Sequence, residues 1–260
     1  MSRTVEHVIE VIERFAPPEY ALEGDPIGLC LGRRQKPVER VLTALDLSAG
    51  TVEAALKLKA DLIVTHHPPI YTPISTITDD SPEGDLLLTL AEHNIALFSA
   101  HTNVDATVGG LADLMAEMLF PDNQSVTPLI TLPAHEDDPP AGFGRVVFLP
   151  KLKAKTIFER SKKAFAAPFA RLVGDADRDV SSCCVWPGSM GEQVVDTLQL
   201  RKIDLIVCGE SKHHINLALH ARGIMNIVAG HDSTENPFVE KVASVIRTAY
   251  PEMTVEGFLP

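Results

Sequence analysis

Hydrophobic and polar positions follow two alternating periodicities along most of the chain. Over residues 4–16, apolar side chains such as Val5, Ile9 and Ile12 recur at helical spacing, and Pro17 ends the pattern. Apolar runs that predict buried strands occupy residues 41–48, 61–67, 95–101, 203–209 and 223–230. Helical patterns follow at 51–59, 84–94, 110–120, 191–201, 211–222 and from about 236. This alternation predicts βαβ units and a mostly parallel sheet covered by helices.

The alternation is interrupted in the middle of the chain. Residues 132–144 are rich in Pro, Gly and acidic residues, which is typical of a boundary or a long loop, and 145–188 contain short β-rich segments. No internal repeat is evident. We therefore predict an α/β fold of two α/β domains, the second inserted into the first. The first, discontinuous domain comprises 1–130 and 220–260, and the smaller inserted domain comprises 131–219.

Composition excludes several classes of protein. With 260 residues, 45% hydrophobic and 22% charged, the chain is typical of a globular protein. The formal net charge of −12 argues against a nucleic-acid binder, which needs clustered Lys and Arg. No apolar stretch is long enough for a membrane helix, and the first residues lack a signal-peptide pattern, so we expect a cytoplasmic protein. The four cysteines form no C-x-x-C pair, which disfavours a disulfide scaffold and a thiolate zinc site.

The charge is unevenly distributed. Residues 145–171 contain eight Lys or Arg and one acidic residue, Glu159. Two interpretations are open. The segment is a solvated helix face, or it is a local patch for an anionic substrate or an acidic partner subunit.

Metal-ligating side chains follow three apolar strands, in the segments LIVTHH (62–67), ALFSAHTNVD (96–105) and NIVAGHDSTE (226–235). Ligands of open α/β sheets bind outside the carboxyl ends of strands, so the three ends are expected to converge. Imidazole and carboxylate groups suit Zn, Fe, Mn, Ni or Co. Three nitrogens and two carboxylates exceed what one open catalytic ion needs, which favours two divalent ions bridged by a carboxylate. The predicted ligands are His66, His67, Asp105, His231 and Glu235.

Each of these residues has a structural alternative. Adjacent histidines on a regular strand point to opposite faces, although His66 and His67 stand at a strand end before two prolines. Asp105 could be a turn residue, and Glu235 could complement a helix N-terminus. It is the coincidence at three strand ends that favours a metal site.

Other candidates carry weaker signals. His101 is the candidate for catalytic proton transfer beside the metals. His213 and His214 line the same cleft as Glu210 or lie on the surface, and Asp25 and Gly28 fit a tight loop at its rim. Those roles remain open.

Four motifs in order, THHPPIY, AHTNVDA, CGESKHH and AGHDSTE, resemble the NGG-one-interacting-factor-three-like family, whose members are often named GTP cyclohydrolase I type 2 homologues. The resemblance covers nearly the whole chain. It implies a dinuclear metal site on His66, His67, Asp105, His231 and Glu235, placed in the cleft between two α/β domains. It also implies a ring-like homohexamer whose metal sites face an internal cavity.

Three functional hypotheses follow. The first is a metal-dependent hydrolase that opens a ring of a small anionic, nucleotide-like or other heterocyclic substrate with a metal-activated water. The second is a non-catalytic protein that binds or delivers metal. The third is a protein-interaction scaffold. We lean towards the enzyme, with the chain itself as oligomeric partner and with no membrane or nucleic-acid partner expected.

Overall fold

The computed structural model describes residues 3–123, 125–133 and 139–260. The strands are β1 (Gly28–Leu31), β2 (Arg40–Ala44), β3 (Leu62–Thr65), β4 (Ala96–Ser99), β5 (Val126–Thr131), β6 (Gly142–Lys153), β7 (Arg171–Val173), β8 (Asp179–Ser189), β9 (Leu205–Glu210), β10 (Met225–Val228) and β11 (Thr254–Phe258). The helices are α1 (Val5–Phe15), α2 (Ala49–Leu58), α3 (Pro82–Glu92), α4 (Thr102–Ala106), α5 (Leu111–Leu119), α6 (Ala154–Ala164), α7 (Val194–Leu200), α8 (His213–Ala221), α9 (His231–Glu235) and α10 (Pro237–Ala249). The predicted alternation of helices and strands is confirmed.

The chain forms two compact units. The first is Met1–Val104 with Asn236–Pro260, and the second is Asp105–Glu235, which lies between the two pieces of the first along the sequence. Each unit contains its own sheet with helices, so the predicted α/β fold of two domains is confirmed. None of the helices in the described part of the chain has the length and apolarity that crossing a membrane requires.

The first unit is built on a five-stranded sheet in the order β1-β4-β3-β2-β11. Strands β11, β2, β3 and β4 pair in parallel, and β1 pairs antiparallel with β4. All four residues of β3 are buried, as expected for a central strand covered on both faces. Helix α1 buries Val5, Val8, Ile9 and Ile12 on one side, and its first turn is closed by reciprocal hydrogen bonds between Thr4 and His7.

The second unit is built on a six-stranded sheet in the order β5-β6-β8-β9-β10-β7. Strands β8, β9 and β10 are parallel, whereas the other pairings are antiparallel. Successive residues of β8 face two different cores: Cys183 belongs to one hydrophobic cluster and Cys184 to the other. Cys208 is also a buried strand residue, and burial raises the pKa of its thiol to about 12.

The boundaries of the units differ from the predicted domains. Strand β10 pairs with β9 and β7, so residues 220–235 belong with the second sheet rather than with the first domain. At the other boundary, Asp105–Glu235 already includes α5 and β5, which were expected in the first domain. The predicted limits of 131 and 219 are therefore too narrow, because strand pairing, and not local composition, decides where a unit ends. Residues 134–138 of the predicted boundary loop lie outside the described part of the chain.

The two units repeat one strand order. Strands β1, β4, β3 and β2 are successive neighbours in the first sheet, and β7, β10, β9 and β8 are successive neighbours in the second. In both sheets the last three are parallel, and the edge strand is antiparallel to its neighbour. The sequence Asp-Leu-Ile-Val occurs at 61–64, in and before β3, and at 204–207, in and before β9. No internal repeat was evident in the sequence, because outside this tetrapeptide the two units share their strand order and not their residues.

Candidate metal centre

The carboxyl ends of β3 and β4 place three imidazole groups together in the first unit. These two strands are parallel neighbours, so the residues that follow them emerge at the same edge of the sheet. His66 and His67 follow β3, and His101 follows β4. One ligand nitrogen of each ring lies within 4.8 Å of those of the other two. We call these three residues the histidine cluster.

His66 and His67 approach each other although they are adjacent in sequence. Their backbone N–H groups still donate to the carbonyl oxygens of Ala44, the last residue of β2, and of Leu45, at 3.2 and 3.0 Å. The ring centroids are only 5.0 Å apart, with the planes inclined by 47°. His66 is fully buried and packs against Phe238 at a centroid distance of 4.8 Å. His66 and His67 therefore do not point to opposite faces, as adjacent residues of a regular strand would.

Each ring of the histidine cluster is held through Nδ1 by an oxygen that accepts a hydrogen bond. The acceptors are the Ala100 carbonyl for His66 (3.1 Å), Asp46 Oδ1 for His67 (2.7 Å) and Asp25 Oδ1 for His101 (2.9 Å). Carbonyl and carboxylate oxygens only accept, so the proton is assigned to Nδ1, and in the neutral ring Nε2 carries the lone pair. An oxygen behind each imidazole is the usual support of metal-ligating histidines. The donor set therefore fits a divalent metal ion.

Asp25 fixes the start of α4 as well as His101. Its Oδ2 accepts hydrogen bonds from the Thr102 backbone N–H at 3.2 Å and from the Thr102 hydroxyl. Burial raises the pKa of this carboxyl, but the hydrogen bonds from His101 and Thr102 outweigh burial and hold it below its ordinary value. Asp25 is thus ionised and supports the histidine cluster. The rim loop predicted for this residue is joined to His101 and Thr102 by these hydrogen bonds.

Asp105 lies in the five-residue helix α4, four residues after His101, and its side chain is partly buried. It is not one of the three imidazole-bearing residues of the cluster.

His231 and Glu235 come together in the second unit. Both belong to α9, which follows β10, and His231 Nε2 lies 3.0 Å from Glu235 Oε2. Glu210, at the end of the parallel strand β9, places Oε2 3.6 Å from His231 Nδ1. Bonds from a metal ion to nitrogen and oxygen ligands are about 2.1 Å long, so two ligand atoms about 3 Å apart are suitably spaced for one ion. The pair thus has the geometry of two ligands.

Gly188 explains how the Glu235 carboxylate is held. Glu235 is 2% exposed, and a Cβ built on Gly188 would overlap its Oε1. The Gly188 N–H donates to Thr234 Oγ1 at 3.1 Å, and Gly188 has a φ of +59°. Glycine is required both by the contact and by the left-handed backbone. The carboxylate is therefore packed directly against the end of β8.

The remaining predicted candidates lie elsewhere. His213 begins α8 and is exposed, and His214 Nε2 is 3.9 Å from the exposed carboxylate of Glu192. In the basic segment 145–171, surface ion pairs join Lys153 to Asp179, Lys155 to Asp177 and Lys162 to Glu159. The interpretation as a solvated face accounts for these pairs.

Two supporting residues were missed or undervalued in the sequence. Asp46 was not singled out, although it lies two residues after the apolar strand β2, as His67 lies two residues after β3. The rule that functional groups follow parallel strands would have identified it. Asp25 was assigned to a loop because its partner His101 is 76 positions away, and no local pattern joins them.

The fold and the site define an α/β protein with imidazole and carboxylate groups at strand ends that could hold a metal ion. Residues 3–259 match the family described as Duf34/NIF3 (NGG1p interacting factor 3), and the chain belongs to this family.

Curated relatives and solved structures agree with that assignment. The chain is 31% identical over 256 residues to the GTP cyclohydrolase 1 type 2 homolog of Clostridium acetobutylicum, covering 98% of this chain and 94% of that protein. The crystal structure of a Bacillus cereus protein related to NIF3 matches with a TM-score of 0.88 at 21% identity, covering 100% of this chain and 98% of the other. Reduced HcgD from Methanocaldococcus jannaschii matches with a TM-score of 0.81 at 27% identity, covering 99% and 98%.

Proposed function

We propose that this protein binds two divalent metal ions through His66, His67, Asp105, His231 and Glu235, and that it is a metal-dependent hydrolase. The observation that carries the proposal is the histidine cluster, in which three rings are each fixed by an oxygen at Nδ1. Isolated surface histidines have no need for such support. Zn, Fe, Mn, Ni and Co all suit this set of nitrogen and oxygen donors.

The carboxylates have a distinct role in the proposal. Two dications repel each other unless anionic charge is placed beside them, and the predicted ligand set contains only two acids, Asp105 and Glu235. Glu235 is buried next to His231, where an ionised carboxylate needs a cation to compensate for lost hydration. We therefore assign the bridging function to one of these two acids.

His101 is the proposed residue for proton transfer. Asp25 accepts the hydrogen bond from its Nδ1, which fixes the ring and stabilises the protonated imidazole if Nε2 takes up a proton. A bound divalent ion would supply Lewis-acid polarisation of the substrate and of water. His66 and His67 hold their positions through Ala100 and Asp46 and need no movement to act.

The substrate class rests on the relatives. Several are named GTP cyclohydrolase 1 type 2 homologs, and that name motivates a nucleotide-like or other heterocyclic anion as the substrate of this chain. The hydrolytic step would be the opening of a ring by water. A homohexamer also remains a proposal, and light scattering that gives a 28.2 kDa monomer would contradict it.

Metal analysis of the purified protein is the decisive experiment. We expect two divalent ions per chain, and turnover of at least one member of a nucleotide panel after the native metal is restored. Asp105→Ala and Glu235→Ala should each lower the occupancy of both ions, because a bridging carboxylate is shared. The exposed His93→Ala serves as control and should keep both ions, since His93 Nδ1 contacts only the Thr89 carbonyl among the described contacts. If both acid variants still held two ions, the proposed site would be wrong; binding without any turnover would refute the hydrolase.

A further inference from the structure

Arg145 is a fully charged side chain in the interior of the second unit. It lies near the start of β6 and is only 2% exposed. Its Nη1 donates to the carbonyl oxygens of Gly142 and Gly144, at 2.6 and 3.0 Å. Its Nε and Nη2 bind the two oxygens of Asp113 at 2.5 and 2.9 Å, in the side-by-side geometry of an arginine–carboxylate pair.

The same guanidinium group caps the end of α4. Nη2 donates to the carbonyl oxygens of Ala106 and Thr107, at 3.4 and 3.2 Å. The last carbonyl groups of a helix have no partner within it, and basic side chains can satisfy them. A helix of five residues has little stability by itself, so its end depends on such contacts. Asp105 is the residue immediately before Ala106.

Asp113 binds the segment that follows α4 through a backbone N–H group. Its Oδ2 accepts a hydrogen bond from the Gly109 backbone N–H at 2.7 Å. The backbone of residues 106–109 is thus fixed by Arg145 through two carbonyl groups and by Asp113 through an amide. The side chains of Arg145 and Asp113 are also hydrogen-bonded to each other.

Stability alone is a poor explanation for this ion pair. Taking the Arg145 guanidinium out of water is costly, and its partner Asp113 is only partly buried, so the pair offsets this cost only in part. A buried pair is justified when it fixes one backbone arrangement among several. The arrangement fixed here is that of the helix end that carries Asp105.

We propose that Arg145 is a positioning residue for Asp105: its guanidinium, oriented by Asp113, caps α4 and thereby holds the Asp105 carboxylate in the geometry that metal binding requires. This inference rests on the proposed function, because it assumes that Asp105 is a ligand. Arg145 itself does not contact the metal.

The test is a double-mutant cycle with Co²⁺ as the probe, read by the visible absorption of the bound ion and by thermal unfolding. Arg145→Lys keeps the positive charge but loses the fork, and we expect a loss of Co²⁺ affinity of about tenfold or more with an altered spectrum. In an Asp105→Ala background, Arg145→Lys should cause no further loss of affinity, whereas its effect on the melting temperature should persist.

Arg201→Lys is the matched control. Arg201 also lies in the second unit and donates to the Leu129 carbonyl at 3.4 Å, but it does not contact the Asp105 segment. It should lower the melting temperature without a change in Co²⁺ affinity. If Arg145→Lys does not fold, Asp113→Asn takes its place in the cycle with the same expectations.

The outcomes separate the two proposals. A wild-type protein that binds no Co²⁺ would refute the metal function. If the wild type binds and Asp105→Ala weakens binding, but Arg145→Lys leaves affinity unchanged, only the role of Arg145 is refuted. An equal loss of affinity with and without Asp105 would also refute it, since the effect would then not pass through Asp105.

Discussion

The carboxyl edges of the two sheets follow one strand order but present different chemistry. In the first unit, the edge carries the imidazole groups of His66, His67 and His101. In the second, it carries His231 with the carboxylates of Glu210 and Glu235. A shared strand order therefore places both sets of side chains at strand ends, while the residue types decide how much negative charge each edge carries.

The aligned Asp-Leu-Ile-Val segments show why the side chains at the ends of β3 and β9 differ. His66 and His67 follow β3 at the positions that Gly209 and Glu210 occupy in β9. A Cβ on Gly209 would lie 2.6 Å from Thr234 Oγ1 and 2.7 Å from the Gly188 carbonyl oxygen, so no side chain fits there. The second edge is filled by backbone, and its buried carboxylate, Glu235, comes from α9 instead.

The supports of the two edges differ as well. The histidine rings are held by oxygen acceptors at Nδ1, whereas the Glu235 carboxylate is held by close approach of the Gly188 backbone. A side chain held by a hydrogen bond can keep much of its position when that bond is weakened. A close-packed contact has no space for an added atom. Substitutions at the two edges therefore differ in their expected effects.

Gly188→Ala should destabilise the protein by about 2–4 kcal/mol, because the added Cβ meets the Glu235 carboxylate and the backbone is left-handed. The control is Gly223→Ala in the same unit: φ is +70° and the nearest atom is Arg178 Nη1 at 3.9 Å, so only backbone strain of about 1 kcal/mol is expected. Urea unfolding measures both. Equal losses in the two variants would show that the contact with Glu235 is unimportant.

Asp61 and Asp204, which directly precede β3 and β9, test the strand order that the two units share. Asp204 accepts hydrogen bonds from Ser181 N, Ser181 Oγ and Ser182 N (2.8–3.1 Å), whereas Asp61 accepts them from Glu39 N and Arg40 N (2.9 and 3.0 Å). Asp204→Ala should cost about 3 kcal/mol and Asp61→Ala about 2 kcal/mol, or about 1 kcal/mol for each donor left without a partner. Chemical denaturation of each variant measures these values. A larger loss for Asp61→Ala would contradict the comparison.

Asp46→Ala should weaken Co²⁺ binding by about tenfold, because it removes the acceptor at 2.7 Å that orients His67. Glu210→Ala should change affinity by less than about threefold, since its 3.6 Å separation from His231 Nδ1 is too long for a hydrogen bond. Titration with Co²⁺ compares the two. If both variants lost the same affinity for Co²⁺, Asp46 and Glu210 would be equivalent supports and the predicted difference between them would be wrong.

The smallest predicted effect is a dependence of stability on pH. Burial raises the pKa of Asp204, but hydrogen bonds from Ser181 and Ser182 outweigh it and lower the pKa below its ordinary value. The ionised form is therefore favoured in the folded state. The resulting stabilisation is complete above the unfolded pKa of about 3.9 and disappears as pH falls through the lower folded pKa.

Asp204→Asn is the comparison variant for this titration. The difference in unfolding free energy between wild type and variant should be constant from about pH 7 to pH 5 and should shrink below about pH 4. A difference that grew on acidification would contradict the assignment.

The element order and part of the site could be predicted from sequence because both depend on local pattern. Fully buried parallel strands need continuous apolar runs, and helices that cover them need periodic ones. Since βαβ units bring carboxyl ends to one edge, the runs ending at His66 and His101 indicated a candidate site, whereas the run before His231 belongs to the other sheet.

Strand partners, unit boundaries and the supports of the site were decided by tertiary structure. Strand β10 reads as any parallel strand, and only its pairing with β7 and β9 places it in the second unit. Asp25 and Arg145 act across 76 and 32 positions of the sequence on His101 and Asp113, respectively. Periodicity records which side of an element is buried, but not which distant residue it meets there, because that choice is made by packing of whole elements.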